Sequence, residues 1–284
     1  MTTNQMMIKV AAVQTNPRIA DAAYNLAQSI TFIREAAGQG AKVIVFPECA
    51  LTGYCFESRE DAEQAALHAN GEWVEKLTKE ARDADAYIVT GFIEKRNEKL
   101  YNSLAIIGPE GLIKIYTKAH LPQLGVDNFV EPGCDPFIPV DTAVGKLGVL
   151  ICYDIRFPEQ ARALALQGAD ILIHITNLPL TASSQLDYLL PARANENHVH
   201  IISSDRVGEE RGFVFLGRST IYDVDGAIIS QANDTDEMII YAELDLTQSR
   251  EKSVYYPPAE GKPVAHTNSL FAARRKELYG VLSQ

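Results

Sequence analysis

Cysteine is scarce in this chain: four thiols, at 49, 55, 134 and 152, among 284 residues. Their irregular spacing does not resemble a disulfide scaffold, and the expectation is a reduced, cytoplasmic setting. Neither a CxxC pair nor a CxxC…HxxxH arrangement occurs, so no metal or other cofactor is expected. Long apolar runs are also missing. No stretch approaches the roughly 18 residues that a membrane-spanning helix needs, and Met1-Thr2-Thr3-Asn4-Gln5 lacks the basic-then-apolar pattern of a secretion signal. Basic residues are outnumbered, 26 Lys and Arg against 37 Asp and Glu, for a net charge of −11. Affinity for a phosphate backbone rests on clustered Lys and Arg, so neither nucleic acid nor a membrane is an expected partner.

What is present is globular in texture. With 46% apolar residues the chain can bury enough surface to offset its ordering entropy. Met7 to Gln14 reads as a strand, Leu26, Ile30, Ile33 and Ala37 as a helix stripe ended by Gly38 and Gly40, and Lys42 to Phe46 as a buried strand stopped by Pro47. One or two helices follow over Glu60 to Asp83, then a strand over Tyr87 to Glu94 and a hairpin turned by Pro109-Glu110-Gly111. His120 to Pro139 is predicted as a long loop. Val144 to Cys152 and Ala169 to Thr176 read as strands around a helix from Pro158 to Gln167; Ser183 to Glu196 as a helix; His198 to Asp205 and three later runs as strands. No Ser/Gly-rich linker, low-complexity tract or repeat period intervenes, which favours one layered α/β domain.

Three side chains stand where a predicted strand gives way to a loop: Glu48, Lys118 and Cys152. Strand ends of α/β sheets project side chains beyond the packed core from a rigid backbone. Singly, each has an ordinary structural explanation. Together they form a chemical set: a thiol of unperturbed pKa about 8.5, a carboxylate to take its proton, and a cation for a developing oxyanion. Other signals fail. Gly38-Gln39-Gly40 lacks a third Gly and leads into a strand, Gly145-Lys146 lacks the rest of a phosphate loop, and His198 with His200 on one strand face lacks a third metal ligand.

Three segments then carry a resemblance. VFPECALTGY at 45–54, YTKAHLP at 116–122 and ICYDIRFPE at 151–159, with their reactive positions separated by 70 and 34 in sequence number, resemble the signatures of the nitrilase superfamily of carbon–nitrogen hydrolases. AAVQTNP at 11–17, ARANEN at 192–197, SDRVGEERGFVFLGRSTIYDVDG at 204–226 and RRKELY at 274–279 extend it over nearly the whole chain; Lys276 stands where relatives usually have Pro.

The resemblance implies a four-layer α-β-β-α sandwich over a single domain, residues 1–284, and pairing into homodimers or larger homo-oligomers. It implies Glu48 as general base and acid, Lys118 as oxyanion stabiliser and Cys152 as nucleophile. Tyr153 is expected to add a backbone N–H to the oxyanion site, Asn177 to contact substrate, and Tyr54 to lie near the base. Many relatives carry a further Glu after the lysine; here Asp127 is the candidate, with Glu131 too near the Pro132-Gly133 turn. Cys152-Tyr153-Asp154, where true nitrilases have Cys-Trp-Glu, looks like the amidase branches. The implied reaction is hydrolysis of a small carboxamide of ω-amide type through a cysteine thioester. N-carbamoyl hydrolysis, nitrile hydrolysis, acyl transfer and a non-hydrolytic binding scaffold are the alternatives.

Overall fold

The computed structural model describes residues 6–258, 260 and 266–283. The secretion-signal reading at Met1 to Gln5 lies outside them, as do the extreme ends of the expected 1–284 domain.

Strand β1 (Met7–Gln14) leads to helix α1 (Ala22–Gly38) and strand β2 (Val43–Val45); helices α2 (Arg59–Ala65) and α3 (Glu72–Ala84) precede β3 (Tyr87–Arg96), β4 (Lys99–Gly108) and β5 (Gly111–Thr117). After a loop containing one 3-10 turn, Gly125–Asn128, come β6 (Val140–Thr142), β7 (Gly145–Ile151), α4 (Pro158–Leu166), β8 (Ile171–Ile175), α5 (Leu190–Asn197) and β9 (His200–Ser204). A small hairpin, β10 (Glu209–Glu210) and β11 (Phe213–Val214), precedes β12 (Thr220–Tyr222), β13 (Ile228–Gln231), β14 (Met238–Asp245), α6 (Leu246–Arg250), β15 (Ser253–Tyr256) and β16 (His266–Ser269).

Twelve of these strands build two six-stranded sheets, in the orders β14-β1-β2-β3-β4-β5 and β13-β12-β9-β8-β7-β6. Each has a parallel centre, β1-β2-β3 in one and β7-β8-β9 in the other, flanked by antiparallel strands. Side-chain alternation sets the layers. In the first sheet Ala11, Val13, Ile44, Ile88 and Ile107 pack against Ile33 and Ala36 of α1 and Leu77 and Ala81 of α3. Their neighbours Val10, Ala12, Val43, Val45, Val89 and Ile106 face the second sheet, which α4 and α5 cover through Ala161, Leu164, Leu190 and Ala194. The result is the expected α-β-β-α sandwich.

Three local expectations are corrected. The buried stripe of α1 runs through Asn25, Leu26, Ser29, Ile33 and Ala36, so Ala37 lies at its edge. The helix expected over Ser183 to Glu196 starts as a wider π turn, Gln185–Leu189, before becoming α5. His198 does not share a strand face with His200: it is the left-handed residue ending α5 (φ +46°), bonded to the Glu251 carbonyl, while His200 opens β9. Among the described residues no three His, Cys, Asp or Glu side chains converge as metal ligands, and no helix is long and apolar enough to cross a membrane.

Candidate active site

Because β5 returns parallel to β3 through the meander, the C-terminal ends of β2 and β5 lie at one edge of the first sheet, and the second sheet brings β7 and β8 to the same region. Glu48, Lys118, Cys152 and Asn177 follow these four strands.

Glu48 sits in a tight turn after Pro47. The turn closes because Gly91 of β3 has no side chain: a Cβ there would lie 2.4 Å from the Cys49 nitrogen and 2.8 Å from Glu48 Cα. Buried Glu48 accepts at Oε1 from Lys118 Nζ (2.7 Å) and Asn102 Nδ2 (2.7 Å), while Oε2 is buried without a hydrogen-bond partner among the described residues. Lys118, 0% exposed, also donates to Asp127 Oδ2 at 2.6 Å. Two ammonium hydrogens are therefore used, leaving the third for a ligand.

The same Asn102 nitrogen donates to Asp127 Oδ1 at 2.9 Å, so a closed ring links Glu48, Lys118, Asp127 and Asn102. Asp127 reaches the lysine from the 3-10 turn Gly125–Asn128; Glu131 is half exposed and faces Lys99.

Cys152 follows β7 with φ +47°, an uncommon backbone for a residue with a Cβ, and begins the single turn Cys152–Arg156. Both sides of this elbow are pinned. Asp154 accepts at Oδ2 from the Ile151 N–H (3.0 Å) and Tyr116 OH (2.8 Å), and at Oδ1 from the His120 N–H (3.1 Å), with His120 Nδ1 at 2.7 Å. The Cys152 carbonyl faces His174 Nε2 at 3.0 Å, and since a carbonyl only accepts, that nitrogen carries the proton. Burial lowers the His174 pKa to about 4, so the ring is neutral, with Nδ1 left to accept from Ser203 Oγ at 2.9 Å.

Burial dominates the electrostatics. It pushes the Glu48 carboxyl up; Lys118 opposes the shift and Asp127 reinforces it. Burial works against the Lys118 charge, but Asp127 and Glu48 outweigh it and hold the ammonium well above its usual range. The Cys152 thiol is raised by burial and then by Glu48, with Lys118 and the Thr176 hydroxyl pulling the other way. At neutral pH the thiol therefore holds its proton beside a carboxylate with a raised proton affinity, which suits transfer between them.

The remaining expected contacts are placed as follows. Tyr54 is buried, its hydroxyl 2.9 Å from both Asp127 Oδ2 and the Leu124 carbonyl and its ring 5.9 Å from Lys118 Nζ. Asn177 Nδ2 donates to the Glu48 carbonyl at 2.9 Å, and its Oδ1 is buried without a partner among the described residues. Tyr153 is half-buried, edge-on to Phe157. Sequence reasoning missed Asn102, Asp154 and His174. Asn102 leaves a trace, since a strand run disfavours Asn; the other two meet their partners only through the fold.

The carbon–nitrogen hydrolase family model matches residues 9–252. The chain is 41% identical over 274 residues to a protein named nitrilase from Pyrococcus abyssi, covering 96% of this chain and 99% of that one. It is 31% identical over 269 residues to an omega-amidase from Homo sapiens, covering 90% and 91%. The crystal structure of Saccharomyces cerevisiae Nit3, a member of branch 10 of the nitrilase superfamily, superposes with a TM-score of 0.78 at 29% identity, covering 86% of this chain and 92% of that one. With the family matched along most of its length and the sandwich present, this chain belongs to the nitrilase superfamily of carbon–nitrogen hydrolases, acting on C–N bonds other than peptide bonds.

Proposed function

We propose that the protein hydrolyses a small carboxamide of ω-amide type to acid and ammonia, with Cys152 as nucleophile, Glu48 as general base and acid, and Lys118 as oxyanion stabiliser. The observation that carries the reading is the divided Glu48 carboxylate: Oε1 is fixed by two donors, and Oε2 is buried with no partner among the described residues, leaving it to accept. The Cys152 thiol proton passes to Oε2 as Sγ bonds to the carbonyl carbon, and the C=O electron pair moves onto oxygen beside Lys118 and the Tyr153 N–H. On collapse the C–N bond breaks, the Glu48 proton goes to nitrogen, ammonia leaves and a thioester remains. Glu48 then takes a proton from water; the hydroxide adds, the C–S bond breaks, and the proton returns to sulfur. The unpartnered Asn177 Oδ1 is suited to accept from the substrate amide, and Asp127 and Tyr54 border the same region.

Near-complete burial of the three groups favours a small substrate. The human omega-amidase at 31% identity and the Tyr153-Asp154 pair after the nucleophile favour an amide over a nitrile. The test is ammonia release from a panel of ω-amides, N-carbamoyl compounds and nitriles, by the wild type and Cys152→Ala. Turnover of ω-amides by the wild type alone is expected; equal turnover by both proteins defeats the mechanism, and preference for another class defeats the substrate assignment. A homodimer or larger homo-oligomer, in a reducing cytoplasmic compartment, completes the proposal; exposed Tyr255, Tyr256, Leu278, Val281 and Leu282 support self-association.

A further inference from the structure

A second buried ionic group lies outside the reacting residues. Arg206, 0% exposed, follows β9, and Glu210 closes β10. Arg206 Nη1 donates to Glu210 Oε1 at 2.6 Å, Nη2 lies 3.0 Å from Asn16 Oδ1 and 3.2 Å from the Pro17 carbonyl, and the guanidinium covers the Phe215 ring at 4.2 Å. The other Glu210 oxygen accepts from two successive peptide N–H groups, Tyr54 at 2.8 Å and Cys55 at 2.6 Å. Arg211 donates to the Cys55 carbonyl at 3.3 Å and pairs with Asp61. The hairpin thus grips both edges of this stretch of chain.

What it grips is Tyr54. The Tyr54 carbonyl accepts from the Val126 N–H at 2.9 Å and its hydroxyl meets Asp127 Oδ2 at 2.9 Å. Its ring lies against Gly125 (φ +54°), where a Cβ would come within 2.5 Å of the ring. Tyr54 therefore touches the turn carrying Asp127 at three points. Taking two charges out of water is costly, and an apolar pair of similar volume often stabilises a fold as well, so stability alone does not account for this arrangement.

We infer that the Arg206–Glu210 pair is a positioning device that sets the Asp127–Lys118 contact through Tyr54. The inference rests on the proposed roles of Glu48, Lys118 and Cys152. Glu210 serves its two sets of donors with two acceptor oxygens, whereas a glutamine has one, so Glu210→Gln must present an amide N–H to either the guanidinium or the Tyr54 loop. Once Tyr54 loosens, Asp127 withdraws and its negative charge no longer helps raise Glu48.

The experiment uses the full chain and measures the rate of Cys152 alkylation by iodoacetamide against pH, which requires no knowledge of the substrate, together with kcat and KM on the best amide and the melting temperature. Glu210→Gln and Tyr54→Phe are each expected to move the acid limb of Cys152 alkylation to lower pH and to reduce kcat about 10- to 100-fold, as a misplacement near 1 Å does, with little change in KM. The double variant should be no worse than the poorer single one, and Arg206→Lys should fall between Glu210→Gln and wild type. Lower melting temperatures with an unmoved acid limb and unchanged kcat would overturn the inference. Should Glu210→Gln fail to fold, Arg206→Lys, which keeps the charge but alters the guanidinium contacts, decides the matter by the same limb. Wild-type alkylation independent of Glu48, or turnover by Cys152→Ala, would instead break the proposed reaction itself.

Discussion

Asn102 Nδ2 lies 2.7 Å from Glu48 Oε1, projected from a fully buried position of β4. The same nitrogen reaches Asp127 Oδ1 at 2.9 Å, so one neutral amide spaces two carboxylates that share one lysine. Replacing it by leucine keeps the volume and removes both bonds. A buried acceptor deprived of its donor costs about 1–3 kcal/mol, and Glu48 gains freedom to swing out of line. The expected outcome for Asn102→Leu is a lower melting temperature and a kcat reduced about tenfold or more, consistent with loss of orientation. Steady-state kinetics with thermal unfolding on the same samples checks it; wild-type kcat would show that Lys118 alone orients Glu48.

Glu48 gives the site a pH dependence of definite sign. Burial raises its carboxyl pKa, with Lys118 opposing. Because the proposed mechanism has the ionised form accept the thiol proton, kcat/KM should begin to fall, as pH is lowered, above the range in which an exposed glutamate titrates. The stability linkage follows the same shift: with the folded pKa above the unfolded one, the contribution of Glu48 is fully present below the unfolded pKa and is lost as pH rises through the folded value. Glu48→Gln cannot ionise. Relative to wild type it should become more stable, its unfolding free energy rising, from acid to neutral pH, even as activity disappears. Urea unfolding of the pair at several pH values tests this, and a pH-independent difference would refute it.

The positions proposed to react stand out because each follows a strand that its own hydrophobic run announces: Val43-Ile44-Val45 before Glu48, Leu147 to Ile151 before Cys152. Asp127 could be chosen over Glu131 by counting back from Pro132-Gly133, and the Gly125–Asn128 turn brings its short side chain to Lys118. The layer count came from the family resemblance, since alternation within a strand says that it has two buried faces but not what covers them. Asn102 was passed over because β4 starts at Lys99, several residues before the apolar run that marks the hairpin's first strand. Arg206 and Glu210 meet a loop more than 150 residues earlier, a partnership with no local pattern. His198 was misread because its left-handed backbone ends a helix where an apolar run suggested that a strand had started.

The cysteines differ in a way that exposure and chemistry together predict. Cys49 and Cys55 are buried, the first raised well above the ordinary thiol range and the second pushed up to about 12, both chiefly by burial. Cys134 is exposed, and Cys152 is 7% exposed beside Glu48. A thiol-reactive probe therefore has two competent targets for different reasons: Cys134 by access, and Cys152 by the proposed proton transfer to Glu48. Iodoacetamide should label both, and negatively charged iodoacetate should label Cys134 while sparing Cys152, because a third carboxylate would enter a buried site already holding Glu48 and Asp127. Glu48→Gln should slow labelling of Cys152 by about 10²-fold, the scale of a lost general base, and leave Cys134 unchanged. Peptide mass spectrometry over a time course reads both sites in one sample. Equal slowing at both cysteines would point to a global change in the fold, and an unaffected Cys152 would remove Glu48 from thiol activation, leaving Lys118 as the group that makes the sulfur nucleophilic.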